Sequence, residues 1–229
     1  MSDKSGPLPR AEGWDLRLGS CLDPASGLAS LQDKSVDHVI TDPVWPNRPP
    51  TLWPEIDAVE LWASVCPHLA RVARRRITVI LGVDTDPRFL ASVPASFPFV
   101  RVCWLRYALS SYNGTILNGG VVAYVFGDSK GPHGATLLPG EKTASTNGVP
   151  PGVTKGHPCP RKDEHLDWLV RFFTNPGETI VDPFAGSATT GTAAVRQGRS
   201  FIGWEIDPKY HAFAQRQLSK TREQKELAL

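Results

Sequence analysis

The sequence predicts an α/β fold: a largely parallel sheet with helices on both faces. Three observations carry the prediction. Runs such as Ile77–Leu81 and Val121–Phe126 are almost continuously apolar, the pattern of strands buried on both faces. Stripes with helical spacing lie between such runs. The chain has 229 residues and 41% hydrophobic content, enough for one sizeable core, whereas two would be unusual at this length.

Taken in order, residues 1–12 are polar and Pro-containing and read as a loose N-terminal arm ahead of a single domain over 13–229. Strands are expected at Asp15–Leu18 and Val36–Thr41. A helix begins near Glu55 with Ile56, Val59, Leu61 and Leu69 as its apolar positions, and Pro67 can kink or split it. Strands follow at Ile77–Leu81, Phe99–Leu105 and Val121–Phe126. Residues 127–155 are rich in Gly, Pro, Ser and Thr and far exceed the usual loop of roughly 4–6 residues, so they read as a functional insertion. Leu166, Leu169, Val170 and Phe173 mark one helical stripe, ended by Asn175-Pro176-Gly177. A strand at Thr179–Val181, a small-residue helix over 188–197 stopped by Gly198, and a strand at Phe201–Trp204 come next. The last helix starts at Pro208, runs beyond Leu218, and packs through Tyr210, Phe213, Ala214 and Leu218.

Composition excludes several classes. Twenty-five Lys+Arg against 23 Asp+Glu give a formal charge of +2, which neither demands nor forbids nucleic acid, because a basic groove can hide in a neutral total. No apolar stretch reaches 18 residues, and the first residues lack a secretory pattern, so an intracellular protein without a membrane partner is expected. Cys21, Cys66, Cys103 and Cys159 form no CxxC pair, and the six histidines show no ligand spacing, so no metal is expected.

Two strand ends carry chemistry. The first is Asp182-Pro183-Phe184-Ala185-Gly186-Ser187-Ala188-Thr189-Thr190-Gly191, a strand, a tight turn and a helix start. Gly186 allows close backbone approach to a ligand. The sequence is neither GxGxxG nor a phosphate loop, and without a lysine it argues against ATP. After one strand-helix-strand crossover, Glu205 ends the next strand, where an acidic residue can accept from two ribose hydroxyls. Asp182 can pair with an ammonium. A ribose at one end and a cationic amine at the other describe S-adenosylmethionine, although a capping Asp and a surface Glu would also account for the pattern. The second strand end is Val39-Ile40-Thr41-Asp42-Pro43-Val44-Trp45-Pro46. Open α/β sheets place their chemistry past such carboxyl ends. A carboxylate beside an indole can stack a flat ring and accept from its exocyclic amine, although Asp-Pro is also a common turn.

Together these segments resemble the amino-methyltransferases that modify adenine N6 or cytosine N4 in DNA. Asp42-Pro43-Val44-Trp45 is similar to that family's D/S-P-P-Y/F/W tetrad, and Asp182 to Thr190 to its DPFxGSGTT cofactor loop. His157-Pro158 through Gly177, Gly203-Trp204-Glu205-Ile206-Asp207, and Leu16 to Leu22 resemble the flanking segments. The tetrad precedes the cofactor loop, the order of the circularly permuted beta arrangement. The resemblance implies a Rossmann-like methyltransferase fold with a seven-stranded, mostly parallel sheet holding one antiparallel strand. It implies S-adenosylmethionine as cofactor, S-adenosylhomocysteine as product, no metal, double-stranded DNA as partner, and a cytoplasmic protein that is bacterial or phage-encoded. Asp42, Pro43 and Trp45 would be catalytic. Ser20, Cys21, Asp182, Phe184, Ala185, Gly186, Ser187, Thr189, Glu205 and Ile206 would hold the cofactor.

The chain departs from the pattern in three places. Val44 replaces a proline and must be held by packing. Ser20 stands where an acid is usual, which weakens a contact or moves it to Asp23. Ala188 replaces a glycine, so the loop is expected to avoid positive φ there. For substrate, Val44, Tyr112 and Asn113 are candidates at the base pocket. Lys130 and His133 in the insertion, and Arg71 and Arg74 in a basic cluster, are candidates for DNA contact, although a solvated helix end explains the arginines equally well. The small recognition region is compatible with a homodimer. Site-specific adenine-N6 transfer to a flipped base is the expected reaction. Cytosine-N4 transfer, adenine-N6 transfer on RNA, and a degenerate binding scaffold are the alternatives. A cysteine-nucleophile route is disfavoured, because Cys159 lies away from the catalytic strand end.

Overall fold

The computed structural model of the chain describes residues 13–113, 116–131, 140–145 and 161–227. The expected arm at 1–12, His133, Cys159 and most of the insertion lie outside them. Among the described residues, eight strands form one sheet: β1 (Trp14–Leu18), β2 (Val36–Thr41), β3 (Ala73–Gly82), β4 (Phe99–Asn113), β5 (Ile116–Gly127), β6 (Glu141–Ala144), β7 (Thr179–Asp182) and β8 (Ser200–Glu205). Four α-helices among the same residues accompany them: α1 (Ala58–Val72), α2 (Asp163–Phe173), α3 (Thr189–Arg196) and α4 (Pro208–Glu226).

The strand order is β1-β8-β7-β2-β3-β5-β4-β6. Only β5 among these runs antiparallel to its neighbours. The expected mixed sheet is therefore present, with β6 as an eighth strand inside the insertion. The apolar runs work as predicted. Ile40, Ile80, Ile180 and Phe201 face one core cluster with α2, α3 and α4. Their chain neighbours Val39, Val79, Val181 and Ile202 face the other cluster, with α1. Period-two alternation thus loads both faces, and both are covered.

The helices obey local signals. Asp57 caps α1 through Val59 N–H and Glu60 N–H, and Asp207 caps α4 through Lys209 and Tyr210. Pro67 sits within α1 without splitting it. The buried face of α1 differs from the expected one. Trp62, Val65, Cys66 and Leu69 are buried, while Val59 is 55% exposed, because β3 and the turn at Phe89 meet the Trp62 side. On α2 the four predicted residues are all buried.

The basic cluster does not lie on one helix as expected. Arg71 closes α1, but Arg74, Arg75 and Arg76 belong to β3, at the amino-terminal edge of the parallel strands, opposite the functional edge. Arg71 donates to Leu28, Leu31 and Asp33, and Arg74 to Lys34 and Asp37. Arg76 is fully buried and donates to the Asp128, Phe173 and Lys130 carbonyls. Arg75 bridges Glu178 and Asp128, and Glu178 also meets His38 at 2.8 Å. Arg71 and Arg74 tie loops to the sheet with their donors, and Lys130 lies at the same edge. None of the three is brought to the site.

Candidate active site

β7 and β2 are neighbours at the centre of the sheet. Chain order reverses there, the position where open α/β sheets bind ligands. β7 ends in Asp182 and β2 ends just before Asp42, so the two loaded strand ends of the sequence lie side by side. A cavity of about 550 Å³ opens over them. Asp42, Pro43, Val44 and Trp45 line it from one side, and Ser20, Cys21, Asp182, Phe184, Ala185, Gly186, Ser187, Thr189, Glu205 and Ile206 from the other. Every catalytic and cofactor candidate of the sequence is therefore brought together.

Asp182 is 2% exposed and accepts from the Thr41 hydroxyl at 2.8 Å and the Phe184 N–H at 3.1 Å. Burial pushes its carboxyl up to about 7, opposed by Thr41, Phe184 and Thr190 and assisted by the nearby Asp42 charge. A carboxyl so placed gains most from a cation brought into the cavity. Gly186 has φ +53, and its N–H donates to Glu205 at 2.9 Å. The other Glu205 oxygen takes the Asp207 N–H at 2.8 Å. Each carboxylate oxygen keeps a further lone pair for a ligand hydroxyl. Burial raises the Glu205 carboxyl against these two hydrogen bonds.

Two expectations about this loop change. Ala188 does adopt the left-handed conformation, with φ +57 and ψ +35. The turn needs it: Ala188 N–H returns to the Ala185 carbonyl at 2.7 Å, immediately before α3 begins. The alanine is fully buried, and surrounding packing bears a conformational cost of about 1–2 kcal/mol. Asp23 does not stand in for the missing acid at Ser20. Its carboxylate turns back onto Ala25 and Ser26, and those bonds hold its carboxyl below the usual range. Cys21 lines the cavity, but burial pushes its thiol up to about 12, too high for a nucleophile.

Trp45 is half-buried on the cavity wall. Its indole N–H points to Asp42 at 3.1 Å and to the Ile80 carbonyl at 3.2 Å. Val44, in place of proline, is held by packing against the α1-side core. Arg161, just before α2, donates to both oxygens of Asp42. Its guanidinium carbon lies 4.5 Å from the centroid of the Trp45 ring. Burial pushes the Asp42 carboxyl up, against the Arg161 charge, the Arg161 hydrogen bond and the Trp45 indole. On Arg161, burial is the largest single effect and acts downward, but the Asp42 charge, the Asp42 hydrogen bond and Tyr107 together outweigh it, so the guanidinium stays charged.

Sequence reasoning missed Arg161 and the loop after Trp45. Arg48 gathers that loop by donating to the Trp45, Leu52, Trp53 and Ile56 carbonyls. Leu52, Trp53 and Ile56 then wall the cavity. Neither arginine carries a local signature. Tyr112 and Asn113 pair with Leu117 and Ile116 near the tip of the β4–β5 hairpin, which extends past the sheet at this edge. No group of three His, Cys, Asp or Glu among the described residues is placed to hold a metal ion. None of their helices is long and apolar enough to cross a membrane.

The chain and its fold have known counterparts. A family model described as DNA methylase matches residues 134–216. The DNA adenine methyltransferase YhdJ of Escherichia coli (strain K12) is 41% identical over 64 residues, 28% of this chain and 22% of that protein. The match therefore spans under a quarter of that relative. Among solved structures, the cytosine-N4-specific PvuII DNA methyltransferase aligns with TM-score 0.68 and 16% identity over 96% of this chain and 95% of that one. The M1.HpyAVI–SAM complex aligns with TM-score 0.64 and 20% identity over 90% and 98%.

Proposed function

We propose that the chain is a permuted, beta-class DNA amino-methyltransferase and that it methylates the exocyclic amine of a base flipped out of duplex DNA. The observation that carries this reading is the single cavity that joins Asp42 and Trp45 to the Asp182–Gly186–Glu205 cradle. S-adenosylmethionine fits the cradle by charge. The buried Asp182 carboxyl, pushed up to about 7, calls for a cation, and Glu205 keeps acceptors for ribose hydroxyls. When bound, that cofactor supplies an electrophilic methyl group.

The chain's own residues do the rest. Trp45 offers an indole face against which a planar base stacks, a contact worth roughly 1–3 kcal/mol. Its N–H bonds to Asp42 and the Ile80 carbonyl fix the ring plane. Asp42, with the Pro43 carbonyl, accepts the amine hydrogens and so orients the nitrogen lone pair. A carboxylate here also meets the positive charge that develops on nitrogen. Asp42 need not be a strong base, since the proton becomes acidic once nitrogen is alkylated. The protonated state of the Cys21 thiol favours this direct route over a covalent cysteine adduct.

Adenine N6 is the proposed position, supported by the aspartate at the head of the tetrad and by the match to YhdJ. Cytosine N4 is the second reading, favoured by the alignment of PvuII methyltransferase along nearly the whole chain. The test is to incubate duplex DNA with protein and labelled S-adenosylmethionine and to digest it to nucleosides for mass spectrometry. N6-methyldeoxyadenosine supports the first reading and N4-methyldeoxycytidine the second. Cofactor binding with neither product would refute both.

A further inference from the structure

Arg161 meets the catalytic pair in an unusual way. Its guanidinium carbon lies over the Trp45 ring, 4.5 Å from the centroid, and its Nε and Nη2 donate to both Asp42 oxygens. The Tyr107 side chain adds a hydrogen bond to the same group. Both members of the ion pair are largely buried, at 18% and 22% exposed. A flat π-system on the indole, with N–H donors aimed at the carboxylate, is also what a base bearing an exocyclic amine must present. One ring face and one carboxylate cannot serve both, so the guanidinium and the base compete for the same place.

Resting on the proposed function, we propose that Arg161 is a specificity-determining residue. It holds the base subsite as a placeholder and yields it to a nucleotide that carries a phosphate. Moving a guanidinium off a buried carboxylate leaves both charges uncompensated. A free base or nucleoside offers no anion for the displaced cation. A phosphodiester does, because the planar fork of arginine bonds bidentately to phosphate as well as to carboxylate. The incoming base replaces the donors on Asp42 while its phosphate receives Arg161. The residue thus rejects free bases and nucleosides, which contain the same amine as the DNA substrate.

The test measures affinities on the full chain saturated with S-adenosylhomocysteine. Calorimetry is run with deoxyadenosine and deoxycytidine and with their 5′-monophosphates. In wild type the monophosphate of the accepted base binds at least about tenfold more tightly than its nucleoside. In Arg161→Ala the nucleoside gains at least about tenfold, and the advantage of the phosphate disappears. Arg161→Lys keeps a cation without the fork and retains part of that advantage. Arg161→Gln gives the same readout should the alanine variant fail to fold. Nucleoside affinity that stays level or falls in the folded variants would overturn the proposal, since Arg161 would then only brace Asp42. Wild-type methyl transfer to duplex DNA is measured alongside. Its absence would count against the proposed function, whereas transfer with unaltered nucleoside affinity in the variants counts against Arg161 alone.

Discussion

The buried Asp182 carboxyl makes both the stability of the protein and its affinity for the cofactor depend on pH. The carboxyl is displaced from the ordinary 3.8 to about 7, chiefly by burial. Between those values the unfolded chain releases a proton that the native protein keeps. Stability of the ligand-free protein therefore falls as pH rises through this window and levels off above about 7. The slope approaches about 1.4 kcal/mol per pH unit and halves at pH 7, where the native carboxyl is half ionised, so the loss from pH 5 to pH 7 is about 2 kcal/mol. For a chain of this size that corresponds to roughly 4–8 °C in Tm. Asp182→Asn keeps acceptors for Thr41 and Phe184 but cannot ionise, so this component of the slope vanishes. Cofactor binding reverses the preference, because an ammonium favours the ionised carboxylate. S-adenosylmethionine affinity should fall about tenfold per pH unit below 7, and binding at pH 7 should release about half a proton. Thermal unfolding from pH 5 to 8, with calorimetry in two buffers of different ionisation enthalpy, reads both effects. Equal pH slopes for the two proteins, or an affinity flat from pH 8 to 6, would refute the reasoning.

Three further outcomes follow from the same geometry. Trp45→Ala removes a stacking surface worth roughly 1–3 kcal/mol and should weaken binding of a flippable site by about 5–150-fold, with Trp45→Phe recovering most of it in a fluorescence titration. Arg48→Ala deprives four carbonyls of their donor; loss of about 2–3 kcal/mol in denaturant unfolding is expected, with weaker cofactor binding as the cavity wall loosens. At Gly203 an added Cβ would meet the Phe201 ring at 2.6 Å and Ala185 at 3.1 Å, so Gly203→Ala should destabilise by about 1–3 kcal/mol. An unchanged unfolding midpoint would contradict that packing.

Much of this site was legible before folding, because its chemistry lies in two contiguous strand-end segments. Asp42 and Asp182 are far apart in the chain, but each ends an apolar run, and strand alternation alone commits both runs to the centre of a covered sheet. What escaped depends on long-range placement. β6 is four residues of mostly exposed edge, Glu141–Ala144, with no apolar run to betray it. The outer halves of β4 and β5 extend beyond the sheet as a hairpin and carry Leu109 exposed, so hydrophobicity could not mark their ends. The arginines show the limit most plainly. Arg71 to Arg76 form the conspicuous basic cluster, yet their donors are spent on loops and on Glu178 at the far edge. Arg161, with no periodicity around it, reaches the Asp42 carboxylate across 119 positions of sequence. The left-handed Ala188 was misjudged because residue preference weighs less than the hydrogen bond that closes its turn.

The most direct measurement compares wild type with Asp42→Ala for methyl transfer to duplex DNA, with S-adenosylmethionine affinity measured on the same samples. The variant should bind the cofactor within about threefold of wild type, since the cradle lies on β7 and β8, while transfer falls by at least about a hundredfold. Transfer above a tenth of the wild-type rate would contradict this, because the amine would then be oriented by something other than this carboxylate.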